Sequence, residues 1–181
     1  MLVTGCAVLA LSGCGSQTRN AAPSAGTVAM AFRASPAPLA ALHAQASRLL
    51  GGGSAAFKAR LAALRGYPVV VNSWGAWCPS CRREFPSFQR AAVAYGRQVA
   101  FVGLDGKDSG PSAASFLRRF PVTYPSYVDP KARIAQVIQA VTFYPQTVYI
   151  NRRGKIVYDH LGPYLSPAAL EQDIRRYLLA S

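Results

Sequence analysis

The sequence predicts an α/β fold in three layers, a mixed central sheet with helices on both faces. Three observations carry that expectation. Short β-branched runs alternate with amphipathic helical stretches, which demands parallel strand pairing. A late strand–turn–strand unit adds an antiparallel edge. The chain has 181 residues, 51% hydrophobic and 15% charged, enough to bury one core and too few for two full domains. Such apolarity excludes a disordered chain, and no apolar run reaches the ~18–20 residues of a membrane-spanning helix. Four cysteines are too few for a disulfide-stapled mini-protein.

Residues Leu2 to Gly13 are small and apolar, the length of a signal-peptide h-region, and they end in Leu11-Ser12-Gly13-Cys14. Small residues before a cysteine resemble a bacterial lipobox. That resemblance implies removal of residues 1–13 and a diacylglycerol on the Cys14 thiol, whose acyl chains contribute roughly 0.8 kcal/mol per buried methylene to membrane anchoring. Val3-Thr4-Gly5-Cys6 is a poorer second match, and the absence of Lys or Arg before Arg19 leaves open a start upstream of Met1. Residues 14–38 are rich in Ala, Ser, Gly, Pro, Thr and Gln without sustained period, and are expected to be a flexible tether. The folded domain is expected over 39–181. Its first stretch, Leu39 to Leu50, suits either a short helix or an edge strand, ended by Gly51-Gly52-Gly53.

Ser54 is the expected N-cap of a helix carrying Phe57, Leu61 and Leu64. Val69-Val70-Val71-Asn72-Ser73-Trp74 is continuous and β-branched, as a strand buried on both faces should be. Cys78-Pro79-Ser80-Cys81 follows, opening a helix through about Tyr95. Val99 to Leu104 reads as a second buried strand, Ser112 to Phe120 and Ile134 to Val141 as helices. Thr147 to Ile150 and Lys155 to Leu161 read as strands joined by Asn151-Arg152-Arg153-Gly154. Ser166 caps a last helix with Leu170, Ile174, Tyr177 and Leu178 at the 3.6 period.

Twenty Lys and Arg against seven Asp and Glu give a formal charge of +13. The basic residues come as scattered singles and pairs, and no stripe interleaves with aromatics as a single-strand binder requires. A generally basic surface facing an anionic envelope or acidic partners is expected, and no nucleic acid.

The chemistry sits in the cysteine pair. With Cys78 at the N-cap and Pro79 at N1, the Cys78 sulfur faces unpaired amide N–H groups and the positive end of the helix dipole. Both favour thiolate, so its pKa should fall below the ~8.5 of a free thiol. Cys81 lies one turn on, at a Cα separation near the ~5.5 Å that a disulfide prefers. One cysteine would attack and the other resolve the mixed disulfide. A structural zinc site would need a second pair, and haem attachment would need His where Arg82 stands. A purely structural disulfide across so small a loop would stabilise little. His43 and His160 stand alone and are expected on the surface or in loops.

Trp77-Cys78-Pro79-Ser80-Cys81 after a Val-rich strand resembles the thioredoxin superfamily. Val70 to Trp77 together with Cys81-Arg82-Arg83-Glu84-Phe85-Pro86 resembles its extracytoplasmic disulfide-reductase branch (TlpA/ResA-like), which includes cytochrome c maturation thioredoxins. The likeness covers roughly Ser54 to Leu179 and implies a thioredoxin-like three-layer sandwich. It implies a cis bond before Pro145 in Phe143-Tyr144-Pro145-Gln146-Thr147, with the Tyr144 backbone offered to an incoming peptide as an extra strand edge. It implies a kink at Pro86 and gives Trp77 a place beside the sulfur as a wall of the peptide groove, with Trp74 in the core. Where ordinary thioredoxins carry a buried aspartate this chain has Asn72, which cannot shuttle protons. Glu84, at i+3 from Cys81, is the expected substitute, half-buried and raised in pKa by desolvation, a general base for Cys81. The alternative is a surface glutamate paired with an arginine such as Arg83.

The implied function is a membrane-tethered extracytoplasmic thiol-disulfide oxidoreductase acting on protein cysteines, a monomer needing neither metal nor other cofactor. Its partners would be client proteins with cysteines or disulfides, a membrane or soluble thiol electron donor, and the membrane through Cys14. Reduction potentials in this fold span about −270 to −120 mV, so direction does not follow from the motif. The resemblance favours a reductase, with apocytochromes as clients. A disulfide-forming oxidase and a non-catalytic peptide-binding module are the alternatives. A thiol peroxidase would need a Thr and an Arg around one cysteine, a pattern Ser73 and Arg82 do not supply.

Overall fold

Side chains of a strand alternate between the two faces of its sheet, so a strand apolar at every position needs cover on both. The computed structural model describes residues 23–141 and 143–180; the leader, Cys6 and the expected lipidation site Cys14 lie outside the described residues. Among the described residues the order is α1 (Ala25–Ala31), α2 (Ala37–His43), β1 (Leu49–Leu50), α3 (Gly53–Ala63), β2 (Val69–Trp74), α4 (Pro79–Tyr95), β3 (Ala100–Gly106), α5 (Gly110–Arg119), β4 (Ser126–Asp129), α6 (Arg133–Val137), β5 (Gln146–Ile150), β6 (Ile156–Leu161) and α7 (Pro167–Ile174), the last prolonged by a π-helical stretch, Arg175–Leu179. No helix among them is long and apolar enough to cross a membrane.

One sheet holds the strands in the order β1-β4-β3-β2-β5-β6, parallel from β1 to β2 and antiparallel at β5 and β6. All of β2 and β3 is buried. Val70 and Trp74 of β2 join Phe85 and Phe88 of α4, Phe116 of α5 and Leu170 of α7 in one core layer. Val69 and Val71 join Leu39 and Leu42 of α2, Phe57 of α3 and Ile134 of α6 in the other. This is the mixed α/β arrangement that the alternating pattern predicts. Val69 pairs with Ala100 and Trp74 with Asp105, so β2 and β3 end side by side, where β5 begins. That edge carries the cysteines.

Several elements differ from expectation. Within the expected flexible tether of 14–38, Ala25–Ala31 form a helix. Ser24 caps α1 by accepting a hydrogen bond from the Thr27 amide, and Phe32 stacks on His43 at 3.6 Å. The tail of the expected tether is thus folded onto the domain. Leu39 to Leu50 contains both forms considered, a helix that buries Leu39 and Leu42 and then a short edge strand on β4. Ser54 is not a cap; Gly52 is, at φ 90°, where a Cβ would stand 2.6 Å from the Ala56 Cβ. Helix α5 starts at Gly110, two residues ahead of the expected Ser112, capped by Ser109, whose hydroxyl accepts from the Ser112 amide. Strand β4 was not expected, because Pro125 interrupts its run and only four residues pair. The helix expected over 134–141 stops at Val137, and Gln139 follows at φ 59°. His43 and His160 are half-buried rather than on the surface: His43 ends α2, and His160 lies in β6, stacked on Tyr164 at 3.9 Å.

Candidate active site

Strand β2 delivers the chain to Gly75-Ala76-Trp77, and α4 starts immediately after. Cys78 is the N-cap with extended backbone, Pro79 fills N1, and the Cys78 Sγ accepts the Cys81 amide N–H at 3.1 Å. Proline suits N1 because that position has no intrahelical partner for an N–H. Cys78 and Cys81 form a disulfide with Cα atoms 5.3 Å apart. Cys78 is 3% exposed and Cys81 wholly buried.

The Tyr144–Pro145 bond is cis, as the resemblance implies. The Pro145 carbonyl accepts from the Gly162 amide at 3.0 Å, tying the proline loop to the segment after β6. Trp77 is 51% exposed, meets the Tyr144 ring edge-on at 5.1 Å, and donates its indole N–H to the Gly106 carbonyl at 3.1 Å. The cysteine loop and the proline loop therefore touch through Trp77 and Tyr144. Trp74 is core, its indole N–H given to Ser126 Oγ. Phe143, 52% exposed, stands beside Tyr144 in sequence.

Glu84 is fully buried, beyond the half-burial expected, and Arg83 hydrogen-bonds Ser80 instead of pairing with it. Asn72 lies on the same sheet face as Val70 and Trp74, and its Nδ2 donates to Glu84 Oε1 at 2.7 Å. The Tyr164 amide donates to Glu84 Oε2 at 3.2 Å. Burial pushes the Glu84 carboxyl up to about 8, against the lowering effect of those two hydrogen bonds. Asn72, Glu84 and Tyr164 thus meet below the active-site helix. Tyr164 also accepts from the Tyr149 hydroxyl at 2.9 Å and donates to Asp173, which pins the segment that closes over Glu84.

Sequence reasoning missed two further acids, Asp105 and Asp108. Asp105 is the penultimate residue of β3 and is 2% exposed. Burial first, and the neighbouring Asp108 second, push its carboxyl up to about 8. Asp108 accepts the Ala76 amide at 2.6 Å and the Ser109 amide at 2.7 Å. Asp108 thereby holds the loop two residues before Cys78. Two of only seven acids standing at the end of a buried strand was a readable signal. Among the described residues no cluster of His, Cys, Asp and Glu could hold a metal. The arrangement can close and open a disulfide, with a protonatable carboxyl one turn along the helix from Cys81.

A family model described as the AhpC/TSA family matches residues 43–159. The thiol:disulfide interchange protein DsbE of Allochromatium vinosum is 35% identical over 101 residues, 55% of this chain and 54% of that protein. The thiol-disulfide oxidoreductase ResA of Geobacillus kaustophilus is 30% identical over 122 residues, 66% of each. A secreted Mycobacterium tuberculosis disulfide oxidoreductase homologous to E. coli DsbE superposes with a TM-score of 0.58 at 26% identity, over 64% of this chain and 85% of that one. The chain spans about half the length of the curated relatives it matches, 54%, 50% and 56% for three of them. The fold is thioredoxin-like.

Proposed function

Since the chain belongs to the AhpC/TSA family, we propose that its paired cysteines make it a thiol-disulfide oxidoreductase for protein cysteines, working outside the cytoplasm and tethered to the membrane through Cys14. The observation that carries this reading is the Cys78–Cys81 disulfide at a helix N-cap, with Cys78 Sγ aimed at the Cys81 amide. Once the pair is reduced, the amides and dipole of α4 favour the Cys78 thiolate.

The reaction runs as a reductase. The Cys78 thiolate attacks a client disulfide, forming a mixed disulfide and expelling one client thiolate. Cys81 gives its proton to the Glu84 carboxylate and attacks Cys78 Sγ. The Cys78–Cys81 disulfide closes and the second client thiolate leaves. The client gains two electrons, and a thiol donor returns them to the pair. Pro145 and the Tyr144 backbone hold the client strand, and Trp77 walls the groove. Apocytochromes with oxidised cysteine pairs are fitting clients.

Cys78→Ser should abolish insulin reduction, and Cys81→Ser should trap Cys78-linked client disulfides visible on non-reducing gels. Full turnover by Cys78→Ser, or no trapped adduct from Cys81→Ser under oxidising conditions, would remove exchange chemistry. The equilibrium potential of the pair against glutathione tests direction. A value near that of thioredoxin, about −270 mV, is expected, and one near −120 mV would make the protein an oxidase.

A further inference from the structure

The sheet edge opposite the cysteines carries charge of one sign. There α3 ends, the turn at 64–68 enters β2, and the 151–154 turn joins β5 to β6. Lys58, Arg65, Arg152, Arg153 and Lys155 stand on these segments, all exposed, and Arg97 follows α4 at the same edge. None of these segments contains an acid. Glu84 is in the core; Asp105, Asp108 and Asp129 are at the other edge; Asp159 is bound by Gln146 at 2.7 Å; Glu171 and Asp173 are on α7. These are all seven acids of the chain.

Two of the cations, Arg65 and Arg152, are held in place. Arg65 donates to the Arg153 carbonyl and lies against Gly154, and Arg152 donates to the Gly66 carbonyl at 3.4 Å. A carbonyl orders a guanidinium without cancelling its charge, so like charges are kept together despite their repulsion. Between Lys58, Arg65 and Arg152 opens a recess of about 210 Å³ floored by Leu61, Val69 and Ile150. Ile156 and Val157, each 40% exposed, follow Lys155 at the start of β6. Cations around small exposed aliphatics match the boundary between phosphate headgroups and acyl chains. A nucleic-acid strand would call for aromatic platforms. The exposed aromatics, Trp77 and Phe143, are at the redox edge, and Tyr67 in this recess is half-buried. The N-terminal arm comes to the same edge, since Phe32 packs on Gly96 at the end of α4, 2.7 Å from where a Cβ there would stand.

We infer that this edge docks on the anionic phospholipid headgroups of a bilayer and turns the cysteine edge away from the membrane. The surface acts independently of acylation, so it stands or falls separately from Cys14 and from the redox reading. The test uses the full-length chain carrying Cys14→Ser, in co-sedimentation with phosphatidylcholine vesicles with and without about a third phosphatidylglycerol. Binding is expected only to the anionic vesicles, and to weaken as salt rises. Lys58→Gln, Arg153→Gln and Lys155→Gln together should weaken it about a hundredfold, at about fivefold per charge. Arg119→Gln, Lys131→Gln and Arg133→Gln together, an equal loss of charge elsewhere, should leave it within about threefold. Arg65 and Arg152 are spared because they fasten the turns, and circular dichroism checks that both triple variants are folded. No binding to anionic vesicles, equal losses in the two variants, or tighter binding of a short single-stranded RNA lost in the first variant alone would overturn the inference.

Discussion

Glu84 keeps its proton at a pH where an exposed glutamate has lost it, because nothing near it replaces the water it gave up except two hydrogen-bond donors. As base for Cys81 it must be ionised, so resolution of a mixed disulfide should rise with pH and level off above about 8. Glu84→Gln should remove that rise and slow resolution by about a hundredfold or more. Stopped-flow decay of the mixed disulfide across pH checks this; an unchanged profile would take Glu84 out of the mechanism. Asp108 acts on the other side of the cysteines. Asp108→Ala leaves the half-buried Ala76 amide without its acceptor, a loss of about 1 kcal/mol. Faster amide exchange at Ala76 and slower insulin reduction should follow, and retained protection at Ala76 would refute the clamp. At this scale the sequence showed the cysteines and Glu84, whose spacing along one helix is local. It did not show that Asp108 holds Ala76, because that contact depends on how β2 and β3 end together.

Helix α4 shows why the element around the site was legible in detail. A cysteine, a proline and a buried apolar face follow one another at fixed spacing, and Pro79–Tyr95 emerges with the cap foreseen. Pro86 sits inside it between the buried Glu84–Phe85 pair and the buried Phe88. Strand β2 and the hairpin of β5 and β6 were equally plain, since a continuous β-branched run and a turn between two strands are made of near neighbours in sequence. Strand β4 and helix α1 were not. Four residues after a proline carry little pattern, and β4 becomes a strand only because β1 and β3 flank it. Helix α1 is short and buries no residue of its own, so tertiary contact through Phe32, not composition, decides its form.

Across the molecule Glu84 and Asp105, two of the buried acids, make stability depend on pH. Glu84 and Asp105 titrate near 8 when folded, against 4.5 and 3.8 as ordinary groups. Between those values the folded state binds more protons than the unfolded one. Stability should therefore fall as pH rises from 4.5 towards 8, by at most about 1.4 kcal/mol per pH unit for each group, and change no further above it. His43 and His160, lowered by burial, act in the opposite sense but are common to any variant compared. Urea unfolding of the wild type and of Glu84→Gln with Asp105→Asn should diverge across this window, the variant giving the flatter curve; parallel curves would refute it. The fold class was readable from the alternation of elements, while the division into an acid-bearing redox edge and an acid-free cationic edge required the chain to be folded first. One further consequence comes from the unequal burial of the two sulfurs. With Cys81 sealed in and Cys78 barely at the surface, a bulky alkylating reagent added to the reduced native protein should label one thiol of the pair. Brief unfolding should reveal the other, so the chain carries its own chemical counter for whether the domain is intact.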